Sequence, residues 1–185
     1  MDGSTDIQYG NIYGIYHGKG SSPISITIDG AELPAVYGAF ESTVETPENM
    51  TAVTISVKGD AAVESLYGLF RTYCTGGVLI DTEESVTIKS LYGLRSSTMD
   101  GDITENINYN CDGNTFVTLA TDGYYTGKAY TINGDAVFNM NGAGISSVYI
   151  VQNGAVLSKT LTTKVTDSKV DNPVSYTHLR AHETA

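Results

Sequence analysis

Leu66-Tyr67-Gly68-Leu69 is the most informative segment of this chain, because close copies of it recur along the sequence. The tyrosines of the first four copies are separated by 24, 30 and 25 residues, and a fifth copy lacks the glycine. Self-similarity at a period of about 20–50 residues is typical of stacked or radial repeats, in which each unit buries its apolar face against the next. The other copies are Ile12-Tyr13-Gly14-Ile15, Val36-Tyr37-Gly38-Ala39, Leu91-Tyr92-Gly93-Leu94 and the degenerate Val148-Tyr149-Ile150.

Each copy places apolar residues around a Tyr-Gly pair, a composition that favours extended chain. Glycine weakens a strand and usually marks a bend, a bulge or a close approach of two backbones, so we expect one bend in each repeat. A second pattern alternates β-branched apolar residues with hydroxyl residues, which predicts strands with one buried face. This alternation occurs at Ile24–Ile28, Val53–Val57 and Val86–Ile88, and an additional strand-like segment precedes the last at Val78–Ile80.

Two or three short strands in each 24–30-residue unit predict an all-β fold, a parallel β-helix (β-solenoid) with coils about 4.8 Å apart. Helical repeats are disfavoured because apolar residues rarely recur at the helical spacing, and a propeller blade needs about 40 residues. The predicted coils cover 12–35, 36–65 and 66–90, and a fourth begins at Leu91. Gly18–Pro23 is predicted as a turn, Glu45–Asn49 as an outward loop and Gly76-Gly77 as a corner.

The fourth coil contains the most polar stretch, Asp100–Asn106, followed by Asp112-Gly113-Asn114. Calcium takes clustered carboxylate and amide oxygens, but the sixth loop position is Glu105 instead of Gly and the twelfth is Cys111 instead of Glu. We therefore prefer a pair of Asp-Gly turns, and predict no metal site and no cofactor. From Phe116 to Lys164, short apolar runs separated by tight-turn pairs predict further coils, with a small antiparallel cap as the alternative.

The composition restricts the partners of the chain. It has 185 residues, 41% of them hydrophobic and 17% charged, and a net charge of −11. Nucleic acids and anionic membrane surfaces require clustered Lys and Arg, so both are disfavoured, and no apolar run approaches the roughly 18 residues of a membrane span. The acids are scattered, which favours a role in solubility over cation binding.

Cys74 and Cys111 are either an oxidised pair of an exported protein or two thiols.

The two ends of the chain lead to different expectations. The first repeat begins at once, without a capping element or a secretory signal, so we expect 1–172 to be a repeat array truncated at both ends. The reverse translation of Val174–Thr184 resembles the end of a transposon-based sequencing-library adapter, and 173–185 is interpreted as an artefact without a domain. His17 is then the only histidine of the array, and a turn residue is preferred over a catalytic base at that position.

The Tyr-Gly repeats with their Val-Thr-Ile strands, over about Ile7–Asp171, resemble bacterial extracellular parallel β-helix proteins of the surface and adhesin type. The resemblance implies a non-catalytic structural or adhesive region of a secreted or cell-surface protein, with no catalytic residues. Its implied partners are host or cell-wall glycans and neighbouring coils of a longer chain.

The rival interpretation is a carbohydrate-active β-helix enzyme, a polysaccharide lyase or glycoside hydrolase. Such enzymes need facing carboxylates, or calcium-binding acids beside a basic Arg or Lys. Arg71 and Arg95 follow their Tyr-Gly pairs by three and two residues, so we expect them close together but out of register. Asp81, Glu83 and Glu84 are candidates for the neighbouring face, although a solvated coil surface is the preferred interpretation. Exposed tyrosines that stack on sugars are a third possibility, beside the commoner core or ladder role.

Overall fold

Parallel strands make up the regular structure of the described part of the chain. The computed structural model describes residues 10–47, 50–95, 107–112, 117–122, 131–132, 135–152, 156–157 and 159–172. None of these residues belongs to a helix long and apolar enough to cross a membrane. The strands stack into sheets in which sequence neighbours are never paired, so every pairing joins one coil to the next. The prediction of an all-β parallel β-helix is therefore confirmed.

Two large sheets and two small ones contain all of the described strands. The seven-stranded sheet consists of β1 (Ile12–Tyr16), β4 (Glu32–Phe40), β7 (Ala62–Phe70), β10 (Thr87–Arg95), β12 (Val117–Asp122), β15 (Gly144–Gln152) and β18 (Lys169–Asn172). The six-stranded sheet consists of β3 (Ile24–Asp29), β6 (Val53–Lys58), β9 (Val78–Thr82), β11 (Ile107–Asp112), β14 (Ala136–Asn141) and β17 (Leu161–Thr166). The three-stranded sheet is β2 (Lys19–Gly20), β5 (Thr43–Val44) and β8 (Tyr73–Cys74), and β13 (Thr131–Ile132) pairs with β16 (Val156–Leu157).

The register of the seven-stranded sheet follows the repeated tetrapeptide. Val36 pairs with Leu66, Leu66 with Leu91, Leu91 with Leu119 and Leu119 with Val148. Each coil thus contributes one strand to this sheet, as the repeat predicts. The later strands β12, β15 and β18 continue the same parallel order, which confirms further coils and excludes an antiparallel cap in the described part of this segment.

The repeated tyrosines form one column on the seven-stranded sheet. Tyr13, Tyr37, Tyr67 and Tyr92 are direct partners from coil to coil. Their rings are stacked almost parallel, with centroid separations of 4.9, 4.7 and 4.9 Å. The degenerate copy keeps the position, because Tyr149 pairs with Ala120, which pairs with Tyr92.

The glycine after each tyrosine allows neighbouring coils to approach closely. A Cβ at Gly68 would lie 2.5 Å from the carbonyl oxygen of Gly93 and 2.6 Å from Cγ1 of Val78. Both distances are far shorter than an ordinary contact of 3.4–4 Å. Leu66 and Leu69, on either side of the Tyr-Gly pair, are both buried although they are three positions apart. In a regular strand, residues that face the same side are two positions apart, so the in–out alternation of side chains is interrupted here. The close approach is therefore present at this position, while β7 continues unbroken from Ala62 to Phe70, so the bend stays a prediction.

The interior is a set of aliphatic columns that continue from coil to coil. Because partners in parallel register lie directly above one another, a buried residue in one coil packs on its equivalents in the next. No charged residue belongs to this cluster within the described residues. Three of its columns are Val36–Leu66–Leu91, Ala39–Leu69–Leu94 and Ile26–Ile55–Ile80.

Two local predictions are wrong. Val86–Ile88 is not the third copy of the alternating strand, because Val53 pairs with Val78 while Ile88 pairs with Val63 at the start of the seven-stranded sheet. Alternation marks any half-buried strand, so it does not distinguish strands of different sheets. The predicted turn Gly18–Pro23 includes strand β2, whose Lys19 and Gly20 pair with β5.

The loop and corner predictions agree with the structure. Residues 45–52 connect β5 to β6, whereas residues 21–23 and 75–77 make the same connection in the neighbouring coils. The additional length of the second coil is therefore located where Glu45–Asn49 was predicted as a loop, although Glu48 and Asn49 lie outside the described residues. Gly76-Gly77 forms the corner between β8 and β9, and Gly77 has a φ of 80°.

Candidate ligand-binding groove

One corner of the coil, between the seven-stranded and three-stranded sheets, has left-handed backbone at residues that are not glycine. His17, Glu41 and Arg71 have φ values of 49°, 45° and 49°. Such a conformation is uncommon for residues with a Cβ and costs about 1–2 kcal/mol. The backbone N–H of each donates to the next coil, to Phe40 O at 3.0 Å, Phe70 O at 2.8 Å and Arg95 O at 2.7 Å. The three side chains therefore form one column.

Buried hydroxyls stabilise this corner. Ser42 Oγ donates to Phe40 O at 2.7 Å and accepts from Gly18 N at 3.0 Å. Thr72 Oγ1 repeats the arrangement one coil later, donating to Phe70 O at 3.0 Å and accepting from Ser42 N at 3.3 Å. These bonds satisfy amide groups that turn away from the strand ladders, because a buried donor without a partner costs about 1–3 kcal/mol.

The same hydroxyl arrangement occurs at another corner. Ser168 follows Asp167, which has a φ of 48°. Its Oγ donates to Thr166 O at 2.8 Å and accepts from Ala143 N at 3.1 Å. A left-handed residue followed by Ser or Thr is thus a recurring corner of this chain. The sequence contained a usable signal, since Glu41-Ser42, Arg71-Thr72 and Asp167-Ser168 each follow a strand.

The column of His17, Glu41 and Arg71 is joined by its side chains. Arg71 Nη1 donates to Glu41 Oε1 at 2.6 Å, and His17 Nδ1 lies 3.3 Å from Glu41 Oε2. The carboxylate is thus held between a guanidinium and an imidazole, although these residues are 24 and 30 positions apart. Among the described residues, Nε of Arg71 is buried and has no hydrogen-bond partner.

An open groove of about 490 Å³ lies on this corner. Its charged side chains are the positive Lys19 and Arg71 and the negative Glu41. With His17 counted as neutral, the groove has a net charge of +1. Within the described residues, Lys19 forms no ion pair. The groove is therefore locally basic on a chain whose net charge is −11. It is lined by His17, Gly18, Lys19, Glu41, Ser42, Thr43 and Arg71.

A second aromatic column separates the groove from the tyrosines. Tyr16, Phe40, Phe70 and Arg95 occupy equivalent positions in successive coils. The rings of Phe40 and Phe70 are stacked at 4.8 Å, and Tyr16 stacks on Phe40 at 5.2 Å. The guanidinium of Arg71 lies 5.1 Å from the centroid of Phe70, within the range of a cation–π contact. Packing against these rings therefore orients the basic side chains of the corner.

Ring stacking limits what the tyrosine column can bind. The faces of Tyr37 are covered by the rings of Tyr13 and Tyr67, so a sugar has no free ring face to stack on at that position. Burial raises the pKa of Tyr37 above its ordinary value of 10.0; Tyr67 and Tyr13 also raise it, while Arg95 lowers it. The large exposed aromatic residues of the described chain are Tyr13, at 36%, and Tyr16, at 57%.

The acids considered for catalysis are not brought to the two arginines. Arg95 pairs with Phe70 and not with Arg71, which confirms that the two arginines are adjacent but out of register. Glu83 and Glu84 precede β10, whose nine residues end at Arg95, so roughly 26 Å of strand separates them from the arginines. Asp81 lies in the six-stranded sheet, paired with Ser56 and Asn110. The geometry thus places Glu83 and Glu84 beyond the opposite end of β10 from Arg95, and Asp81 on another sheet.

Two further predictions involve residues that are only partly described. Cys74 is buried in the interior, but the side chain of Cys111 lies outside the described residues, so an oxidised pair and two thiols both stay open as predictions. Asp100–Asn106 and Gly113-Asn114 also lie outside them. Across the described ranges, no group of three or more His, Cys, Asp or Glu side chains is placed to hold a metal ion.

Comparison of the chain with protein-family models, with curated proteins and with solved structures found no match.

Proposed function

We propose that this chain is a non-catalytic structural or adhesive repeat region of a secreted or cell-surface protein. The observation that carries the proposal is the in-register stacking of successive coils, which repeats the same outward-facing positions from one coil to the next. A solenoid built in this way presents an extended, continuous face, and repeat proteins use such faces to contact partners. Glycans are the proposed partners, contacted by polar and aromatic groups of the coil surface.

The rival proposal is a fragment of a carbohydrate-active β-helix enzyme. The observation in its favour is that Arg71 and Arg95 both lie over the ring of Phe70, at 5.1 and 6.0 Å, so two guanidinium groups share one surface. Against it, the acids Asp81, Glu83 and Glu84 are remote from this surface. A basic pair without a nearby carboxylate pair lacks the arrangement that glycoside hydrolysis requires.

Binding and turnover measurements on the purified chain separate the two proposals. We expect the chain to bind members of a glycan array and to release no sugar from any bound glycan during prolonged incubation. Release of unsaturated sugars that disappears in Arg71→Ala or Arg95→Ala would establish the enzyme instead. Lys89→Ala is the matched control, because Lys89 is an exposed base paired with Glu64 on the seven-stranded sheet.

The proposed location has its own test. Antibodies raised against the purified chain should label intact, unpermeabilised cells that encode it. Labelling that requires permeabilisation contradicts display at the surface.

A further inference from the structure

The groove at the His17–Glu41–Arg71 corner differs in charge from the rest of the chain. The sequence has 21 acidic residues and only three arginines, Arg71, Arg95 and Arg180. The two arginines of the described part both lie over Phe70, in the aromatic column beside the groove. Lys19, exposed on β2, adds a third base. Concentrating bases on an acidic chain produces a local potential that attracts anions.

Glu41 shows which anion the groove accommodates. Its carboxylate already receives Nη1 of Arg71 at 2.6 Å and lies 3.3 Å from Nδ1 of His17. The guanidinium and imidazole are therefore spaced for a carboxylate, with the planar geometry that Arg recognises. The side chain of Arg71 stays 33% exposed beside its contact with Glu41, and Lys19 has no acidic partner in the described part of the chain. The corner thus retains donor capacity beyond its internal carboxylate.

An exposed aromatic ring adjoins these donors. The ring of Tyr16 is 57% exposed, and its centroid lies 4.2 Å from that of His17. Its stack on Phe40 keeps it fixed beside the groove. The C–H face of a pyranose ring is apolar and packs on such a ring, while a carboxylate on the same sugar extends towards the bases. An acidic sugar satisfies both halves of the site, whereas a small inorganic anion uses only one.

We propose that the groove formed by His17, Lys19 and Arg71 beside Tyr16 binds a carboxylate-bearing sugar. The inference rests on the proposed adhesive function and names the ligand class for it. Glu41 acts as an internal competitor that occupies the same donors when the sugar is absent.

The test uses isothermal titration of the whole chain with matched pairs of ligands. A hyaluronan hexasaccharide is compared with its carboxyl-reduced form, and sialyllactose with lactose, so that uronate and sialate sources are distinguished. We expect at least one carboxylate ligand to bind. Its neutral counterpart should bind at least about tenfold more weakly, as expected for the loss of a charge-assisted contact.

Variants locate the site. Lys19→Gln and Arg71→Gln should each weaken binding about tenfold, whereas Lys89→Gln, which changes the same charge outside the groove, should leave it unchanged. Glu41→Gln should tighten binding about threefold, because it removes the competitor. If the His17–Glu41–Arg71 column had only a structural role, Glu41→Gln would not increase the affinity. Lys19 is exposed, so Lys19→Gln stays informative if Arg71→Gln fails to fold.

Several outcomes overturn the inference. If Lys19→Gln binds as tightly as the unaltered chain, the ligand binds outside this groove, and the adhesive function is not contradicted. Equal affinity for the charged and neutral forms removes the carboxylate from recognition. Binding of neutral glycans alone refutes this groove without refuting adhesion, whereas failure to bind any glycan on the array refutes the adhesive function as well.

Discussion

Substitution of Gly68 by Ala tests the close approach of neighbouring coils. The new methyl group would lie 2.5 Å from Gly93 O and 2.6 Å from Val78 Cγ1, nearly 1 Å inside the ordinary contact distance of 3.4 Å. The carbonyl belongs to a hydrogen-bonded strand and Val78 is buried in the core, so neither atom has open space to move into. The coils must separate locally, and the ladder hydrogen bonds around the glycine must lengthen.

The cost follows from two contributions. Overpacking of a well-packed interior costs about 1–3 kcal/mol, and each weakened ladder hydrogen bond about 0.5–1.5 kcal/mol. We therefore expect Gly68→Ala to lower the free energy of unfolding by about 3 kcal/mol or more. With a urea m value of about 2 kcal/mol/M, the midpoint of unfolding followed by circular dichroism falls by about 1.5 M.

Two glycines outside the column serve as controls. A Cβ at Gly10 meets nothing within 4 Å, so Gly10→Ala should change stability by less than about 0.5 kcal/mol. Gly30 also has open space but a φ of 65°, so Gly30→Ala should lose about 1–2 kcal/mol through backbone strain alone. If Gly68→Ala is no more harmful than Gly10→Ala, the glycine is not needed for coil approach and the reasoning is wrong.

Three further predictions concern the aromatic column and the corner. Tyr37→Ala removes two stacked contacts, at about 0.5–1.5 kcal/mol each in addition to the lost burial, whereas Tyr13→Ala removes one; a larger loss for Tyr13 in urea unfolding contradicts the column. Because the neutral form of Tyr37 is favoured in the fold, its contribution to stability is complete below about pH 10 and is lost as the pH rises through its raised pKa. Tyrosinate absorbance should therefore show a late-titrating component that Tyr37→Phe removes, and an unchanged titration curve argues against the shift. Ser42→Ala leaves the amide of Gly18 without its acceptor and should lose about 1–3 kcal/mol, while the exposed control Ser25→Ala should lose almost nothing; equal urea midpoints would show that the hydroxyl is dispensable.

The coil architecture was predictable because its signal is local and repeated. Each Tyr-Gly pair occupies the same position of its coil, and the apolar residues beside it face the interior, so matching the copies also matches the register. The alternating strands were less informative. Val86–Ile88 has the same pattern as Val53–Val57, yet it leads into a different sheet, since only half-burial is encoded in the alternation.

The basic groove was not predictable from the sequence. His17 was interpreted as a turn residue and Arg71 as part of a solvated surface, and nothing local joins them to Glu41. Their contact depends on the length of each coil, which changes wherever a connection such as residues 45–52 is longer than its neighbours. Periodic burial within a coil is thus readable from residue types, whereas contacts between coils follow from the stacked chain path. Only that path brings residues 24 and 30 positions apart into one charged column.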